Sequence, residues 1–191
     1  MGTDSVQIFA AILSLVTLTV AAVSLVAMVF ARRATWASHV VGTLDEIGPW
    51  SVFAVTAGSM LGSLYFSEVA NFAPCKLCWY QRIAMYSLAV ISFVAAVRRD
   101  RRIAPYLLVL SSIGLVVSVY HYLVEWFPSL ESNVCAVDVP CTSVWFREFG
   151  FVTLSFMAGT AFLATITWSI AMHRTVESVG GTDPTSTGGT P

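Results

Sequence analysis

Five long apolar runs separated by short polar breaks organise this chain. They fall at roughly 7–31, 50–67, 79–97, 103–124 and 150–172. Each is close to the ~20 residues that carry a helix across a hydrocarbon core ~30 Å thick. Backbone polar groups in lipid must find partners within the protein, so the runs are read as helices. The predicted fold class is all-α: a polytopic membrane helical bundle. The second run is the shortest and the richest in Ser and Gly. Its Gly58 and Gly62 form a GxxxG pair, which either admits a neighbouring helix closely or reflects the general frequency of small residues in membrane helices.

The stretches between the runs set the expected boundaries. Residues 1–31 read as a retained N-terminal transmembrane anchor, because the leader MGTDSVQ carries Asp4 and no Lys or Arg, unlike a cleaved signal peptide. Residues 32–49 read as a short cytoplasmic connection, 50–172 as a four-helix membrane domain with an outer loop at 125–149, and 173–191 as a disordered cytoplasmic tail. The tail's "SVGGTDPTSTGGTP" has too few apolar residues to order itself.

Composition strengthens the membrane reading. The chain is 57% hydrophobic and only 11% charged, against about 25% charged in a soluble domain. The net charge of -1 says nothing about nucleic acid, but no basic patch is interleaved with aromatics, so no nucleic-acid partner is expected. Lys and Arg bias gives an orientation. Arg32 and Arg33 follow the first run, Arg98, Arg99, Arg101 and Arg102 follow the third, and Arg174 follows the fifth, so seven of the ten basic residues lie on one side. If that side is cytoplasmic, the N-terminus is outside and the C-terminus inside. All four cysteines then lie on the outer face, where disulfides persist.

The cysteines form two pairs, Cys75-x2-Cys78 and Cys135-x5-Cys141. Three chemistries compete. Zinc can take four thiolates, but the second spacing is wide for zinc and no His lies nearby in sequence. Inert disulfides are possible, although a CxxC disulfide closes so small a ring that it is a weak staple. Redox exchange accounts for more. The thiolate is the reactive form, a helix start favours anions, and Arg82 shares a helical face with Cys78. A guanidinium there stabilises a sulfur anion and can hydrogen-bond a quinone carbonyl. Its plain alternative is a snorkelling anchor at the membrane interface.

"CKLCWYQR", with the later "VCAVDVPC" and "GFVTLSFM", resembles the DsbB/BdbC family of membrane thiol:quinone oxidoreductases, most closely the BdbC-like branch with its closely spaced loop cysteines. The resemblance covers roughly residues 50–172, so the first helix is an addition to the family's four-helix core. It implies electron flow from a DsbA-like thioredoxin-fold partner to a membrane quinone, ubiquinone or menaquinone. Cys135 matches the cysteine that forms the mixed disulfide with the partner, and Cys141 its resolving mate. Cys75 matches the cysteine that exchanges with the loop pair, Cys78 the quinone-facing sulfur, and Arg82 the quinone-orienting arginine. His121, in "VYHYLVE", resembles a YH pair of the BdbC-like branch and is a candidate quinone contact; otherwise it is a packing histidine.

Vitamin K epoxide reductase-like proteins also couple four cysteines to quinone, but their quinone-side CxxC follows the loop cysteines, the reverse of the order here. A non-catalytic membrane protein with structural cysteines is the rival from another class. Trp126, Phe127, Trp145 and Phe146 flank the outer loop and read as interface anchors. Glu68 and Glu125, near outer helix ends, read as ordinary solvated carboxylates.

Overall fold

A computed structural model describes residues 2–31, 33–131, 135 and 139–180. Five long helices account for most of them: α1 (Thr3–Phe30), α2 (Thr35–Leu64), α3 (Lys76–Arg98), α4 (Ala104–Trp126) and α5 (Leu154–Gly180). Each contains a segment long and apolar enough to cross a membrane. The fold is the expected all-α membrane bundle, and the described residues contain no strand, only an isolated bridge between Glu148 and Val152 ahead of α5.

Lipid already solvates apolar side chains, so helices in a membrane associate through close packing and small residues. The interior follows that rule. Ala84, Ala89, Ala161, Ala164 and Ala171 are buried beside Leu88, Leu107, Phe162 and Met172. Gly114 of α4 is required by contact: a Cβ there would run into the Phe162 ring of α5. Large apolar side chains such as Phe9, Ile83, Val90 and Val116 stay exposed, as a lipid-facing surface demands. α1 belongs to the bundle, packing against α2 and α5. Its Ala11, Ala21 and Ala27 are buried, and Trp168 Nε1 of α5 donates to Ser24 Oγ at 3.4 Å.

Two boundaries differ from the sequence reading. Most of the connection expected at 32–49 is helical, because α2 begins at Thr35 and runs through Pro49. Proline removes one backbone donor without forbidding the helix to continue, and the packing of Gly48 against Met172 of α5 holds the segment in place. At 30 residues α2 is ~45 Å long, more than a bilayer core, and its spanning part starts at Glu46. The C-terminal tail expected from 173 begins instead as helix, since α5 continues to Gly180; residues 181–191 lie outside the described residues.

α2 ends in a π-helical turn, Tyr65–Val69, a wide turn that often marks functional sites. Asn71, at φ 58°, then reverses the chain into α3. α3 stops at Arg99, which adopts φ 52° while its amide and that of Asp100 cap the carbonyls of Ala96 and Ala95. The CxxC pair and the basic cluster 98–102 therefore lie at opposite ends of one 23-residue helix, ~35 Å apart.

Candidate active site

Cys75 is the N-cap of α3. Its backbone is extended (φ -72°, ψ 173°) and its Sγ accepts from the Cys78 amide at 3.3 Å, the role a serine hydroxyl often plays. The CxxC spacing places Cys78 one turn into the helix, with the two sulfurs 2.9 Å apart. The two side chains then face different surroundings. Cys75 is 5% exposed and packs with Leu77, Val124 and Cys141. Cys78 lines a cavity on the other side.

On the Cys75 side stands His121 of α4, 2% exposed. Its Nε2 lies 3.6 Å from Cys75 Sγ and 3.2 Å from the Cys141 carbonyl oxygen. Its Nδ1 is 3.4 Å from Gln81 Nε2; an amide donating there makes Nδ1 the acceptor and leaves the ring proton on Nε2, facing sulfur. The sulfur of Cys75 thus has several donors around it, whereas Cys78 has none of these, so the anion of the reduced pair settles on Cys75 with the Cys78 thiol donating to it. That bond, then His121, outweighs the opposing effect of burial and holds the Cys75 thiol down at about 4. The sequence reading placed the anion beside Arg82 on Cys78; N-cap geometry moves it to Cys75.

Cys135 and Cys141 form a disulfide with Cα atoms 5.7 Å apart, packed in the same cluster as Cys75. Cys141 is fully buried, and its amide donates to Glu131 Oε1 at 2.8 Å. Cys135 is the more accessible of the two. The four-thiolate zinc site is therefore not formed. Cys75, Cys78 and His121 do place three ligand atoms within 4.8 Å of one another, three of the four ligands a structural zinc takes.

The cavity on the Cys78 side has a volume of about 360 Å³, within the range of small-molecule sites. Its walls are mainly apolar, from Leu13, Val55, Met85, Phe66, Phe72 and Trp145, and Arg82 also lines it. Arg82 is 7% exposed, so it is not an anchor reaching for the interface. Its Nε donates to Ser63 Oγ at 2.8 Å, and its Nη2 to Ser63 O at 2.8 Å and to Ser67 Oγ. All three acceptors are neutral, and Nη1 takes no part in these bonds, so a buried positive charge remains beside Cys78. The rings of Trp79 and Tyr86 flank the guanidinium at 5.2 and 5.9 Å. The combination of one thiol, one fixed cation and apolar walls suits a flat acceptor whose oxygen gains negative charge.

The sequence model described as "Disulfide bond formation protein DsbB" matches residues 47–178. The chain belongs to the DsbB family. It is 46% identical over 129 residues to a "Probable disulfide formation protein C" of Halalkalibacterium halodurans, covering 67% of this chain and 92% of that one. To the "Disulfide bond formation protein C" of Bacillus subtilis it is 42% identical over 118 residues, 61% of this chain and 86% of that one. No solved structure matches. Membership in the DsbB family makes the chain a membrane oxidoreductase of disulfide bond formation, and it fits the resemblance read from the motifs, including the branch.

The structure brings Cys75, Cys78, Cys135, Cys141, Arg82 and His121 to one end of the bundle, but His121 is not where a quinone contact was expected. It does not line the cavity; it stands between the two cysteine pairs. The GxxxG pair also has a different role. A Cβ on Gly58 or Gly62 would meet nothing within 4 Å; both residues line the cavity rather than a helix contact. Trp145, read as an interface anchor, stacks on Phe72 at 4.9 Å and forms part of the cavity wall. Glu125 is not a solvated carboxylate: its side chain is 4% exposed and 3.9 Å from His121 Nε2. Sequence reasoning missed Ser63, Ser67, Gln81, Glu125 and Glu131. The Ser and Gly content of the second run was a signal for the first two; Glu125, four residues after His121, was readable as an i,i+4 partner.

Proposed function

We propose that this chain reoxidises a DsbA-like thioredoxin-fold partner outside the membrane and passes the electron pair to a membrane quinone. The observation that carries this reading is the split of the CxxC pair, with Cys75 against the loop disulfide and Cys78 in a cavity with Arg82.

Exchange begins at the accessible loop sulfur. A partner thiolate attacks Cys135, the Cys135–Cys141 bond breaks, and Cys141 leaves as a thiolate. The partner's second thiol closes its own disulfide, leaving both loop cysteines reduced. Cys141 then attacks Cys75 of a Cys75–Cys78 disulfide, Cys78 leaves, and Cys135 resolves the mixed disulfide. The loop is oxidised again and two electrons sit on the CxxC pair. His121 holds the proton on Nε2 that stabilises sulfur anion at Cys75 during this exchange. Bound quinone supplies a two-electron sink. Cys78 would face the quinone and Arg82 would hold the oxygen that gains charge; the Cys75 thiolate and the Cys78 thiol would join in one S–S bond as the Cys78 S–H bond breaks and the electron pair passes to the acceptor. One thiolate and one thiol become one disulfide, and the acceptor leaves with two electrons, the Cys78 proton and a second proton drawn from solvent. About 30 mV of potential difference drives such a couple by ~1.4 kcal/mol.

The cysteine end is assigned to the outer face, with the N-terminus outside and the C-terminus cytoplasmic, because the basic cluster 98–102 lies at the far end of α3. The test is partner oxidation by the purified protein with ubiquinone and menaquinone in parallel. Partner oxidation at the same rate without quinone would overturn the acceptor, and a CxxC pair that stays reduced after quinone addition would overturn the redox role of Cys78.

A further inference from the structure

We propose that α1 forms one wall of the acceptor site and that Leu13 and Thr17 on it help select which quinones are used. This rests on the quinone reading above. It concerns a helix that lies wholly outside the family match at 47–178.

Ala10, Leu13, Ser14 and Thr17 line the cavity that holds Cys78 and Arg82. Their spacing, i, i+3, i+4 and i+7, is one face of a helix, so a whole stripe of α1 faces the site. Across from it α2 presents Gly58 and Gly62, where open space begins at the backbone. The cavity is therefore widened at these two positions of α2, which also contributes Val55 and Ser63, while α1 supplies the side chains of the facing wall. The wall is anchored by the Ser24–Trp168 hydrogen bond and the burial of Ala11 and Ala21.

The chemistry of the stripe says what it recognises. The Ser14 hydroxyl donates to the Ala11 carbonyl and that of Thr17 to the Leu13 carbonyl, both at 2.8 Å. Both donors are spent on their own helix, so α1 shows methyl and methylene surface to the cavity. It bounds the apolar edge or tail of a ring whose oxygen is held by Arg82, and it discriminates by shape.

The test uses the full-length protein with a reduced thioredoxin-fold partner, and decylubiquinone and menadione as acceptors. Leu13→Trp and Thr17→Trp should each raise KM for decylubiquinone by about tenfold. Leu13→Ala, which widens the site, should change the ratio of the two KM values by about threefold or more. Ile12→Trp, on an exposed part of the helix surface away from the stripe, should leave both unchanged. Partner-to-loop exchange is measured alongside as a check on folding. Unchanged KM values in all three wall variants, with Gly58→Leu across the cavity still raising KM, would overturn the role of α1 alone. No quinone reduction by the unaltered protein would overturn the acceptor reading and this inference with it.

Discussion

The two sulfurs of the CxxC pair are 2.9 Å apart, yet they belong to different regions of the molecule. Around Cys75, beside the apolar Leu77 and Val124, stand polar and titratable groups: His121, with Glu125 behind it, and the loop disulfide with Glu131. Around Cys78 the cavity has mainly apolar rings and aliphatic chains, with a single buried cation held by Ser63 and Ser67. The difference arises from one helix start. An N-cap residue points its side chain back at the first turn, whereas the residue three further on projects sideways from the helix. A CxxC motif at a helix N-terminus thus joins a region suited to thiol exchange with water-borne proteins to one suited to a lipid-borne acceptor, with one covalent bond between them.

Removing Cys78 should separate the two regions completely. In Cys78→Ser, quinone reduction should fall to background while the Cys135–Cys141 pair still exchanges with a reduced partner, read by trapping of thiols and by quinone absorbance. Quinone turnover at the unaltered rate would show that the cavity is not the exit for electrons. Cys141→Ser should also abolish turnover, on the other side. It leaves Cys135 with no disulfide for the partner thiolate to attack, so partner oxidation should stop while the chemically reduced CxxC pair still consumes added quinone, read by quinone absorbance. Partner oxidation that continues in this variant would show that the loop is bypassed.

Arg82→Ala leaves both sulfurs in place and removes the charge from the cavity. The expected loss in kcat/KM for quinone is about 10²-fold, the scale of one missing donor to a developing oxyanion, with loop exchange unchanged. Arg82→Lys should recover part of it, because the charge returns without the fork that holds Ser63 and Ser67. Equal losses in both half-reactions would make Arg82 a folding residue.

How much of this was readable in the chain depends on where each property resides. The five spans and the cysteine motifs are local, written in hydropathy and spacing, and were found. The nearness of Arg82 to Cys78 is local too, because the two lie four residues apart. The position of His121 is not local. It lies 46 residues from Cys75, and only the antiparallel packing of α3 and α4 brings their ends together. Gly58 and Gly62 were left between two readings for the opposite reason: the motif is local, but whether a glycine admits a helix or leaves a void depends on what stands opposite. The start of α2 at Thr35 was not visible in hydropathy, because residues 35–49 include Asp45 and Glu46 and form no long apolar run, while packing of Gly48 against Met172 holds that stretch as helix.

His121→Ala tests the polar region without touching the cavity. Loop-to-CxxC exchange should slow by about tenfold, what one hydrogen bond to a charged group is worth at ~1.5 kcal/mol. KM for quinone should not move. A change in quinone KM with exchange intact would restore the sequence-based reading of His121 as a quinone contact.

The smallest expected effect is also the most specific to the split between the sulfurs. With Cys75 held at about 4, the ultraviolet thiolate signal of the reduced CxxC pair should persist through neutral and mildly acidic pH. It should vanish only as pH falls through that value, because a lowered thiol pKa means protonation comes late on acidification. The donors to Cys75 act in a definite order, the Cys78 thiol first and His121 after it. Cys78→Ala should therefore move the loss of signal to higher pH than His121→Ala does. Cys78→Ser, which keeps a hydroxyl donor, should lie nearer the unaltered protein. One pH unit corresponds to about 1.4 kcal/mol of differential stabilisation. A thiolate that titrates like a free thiol, or that responds to Arg82→Ala more than to Cys78→Ala, would put the anion on the cavity side and erase the division between the two sulfurs.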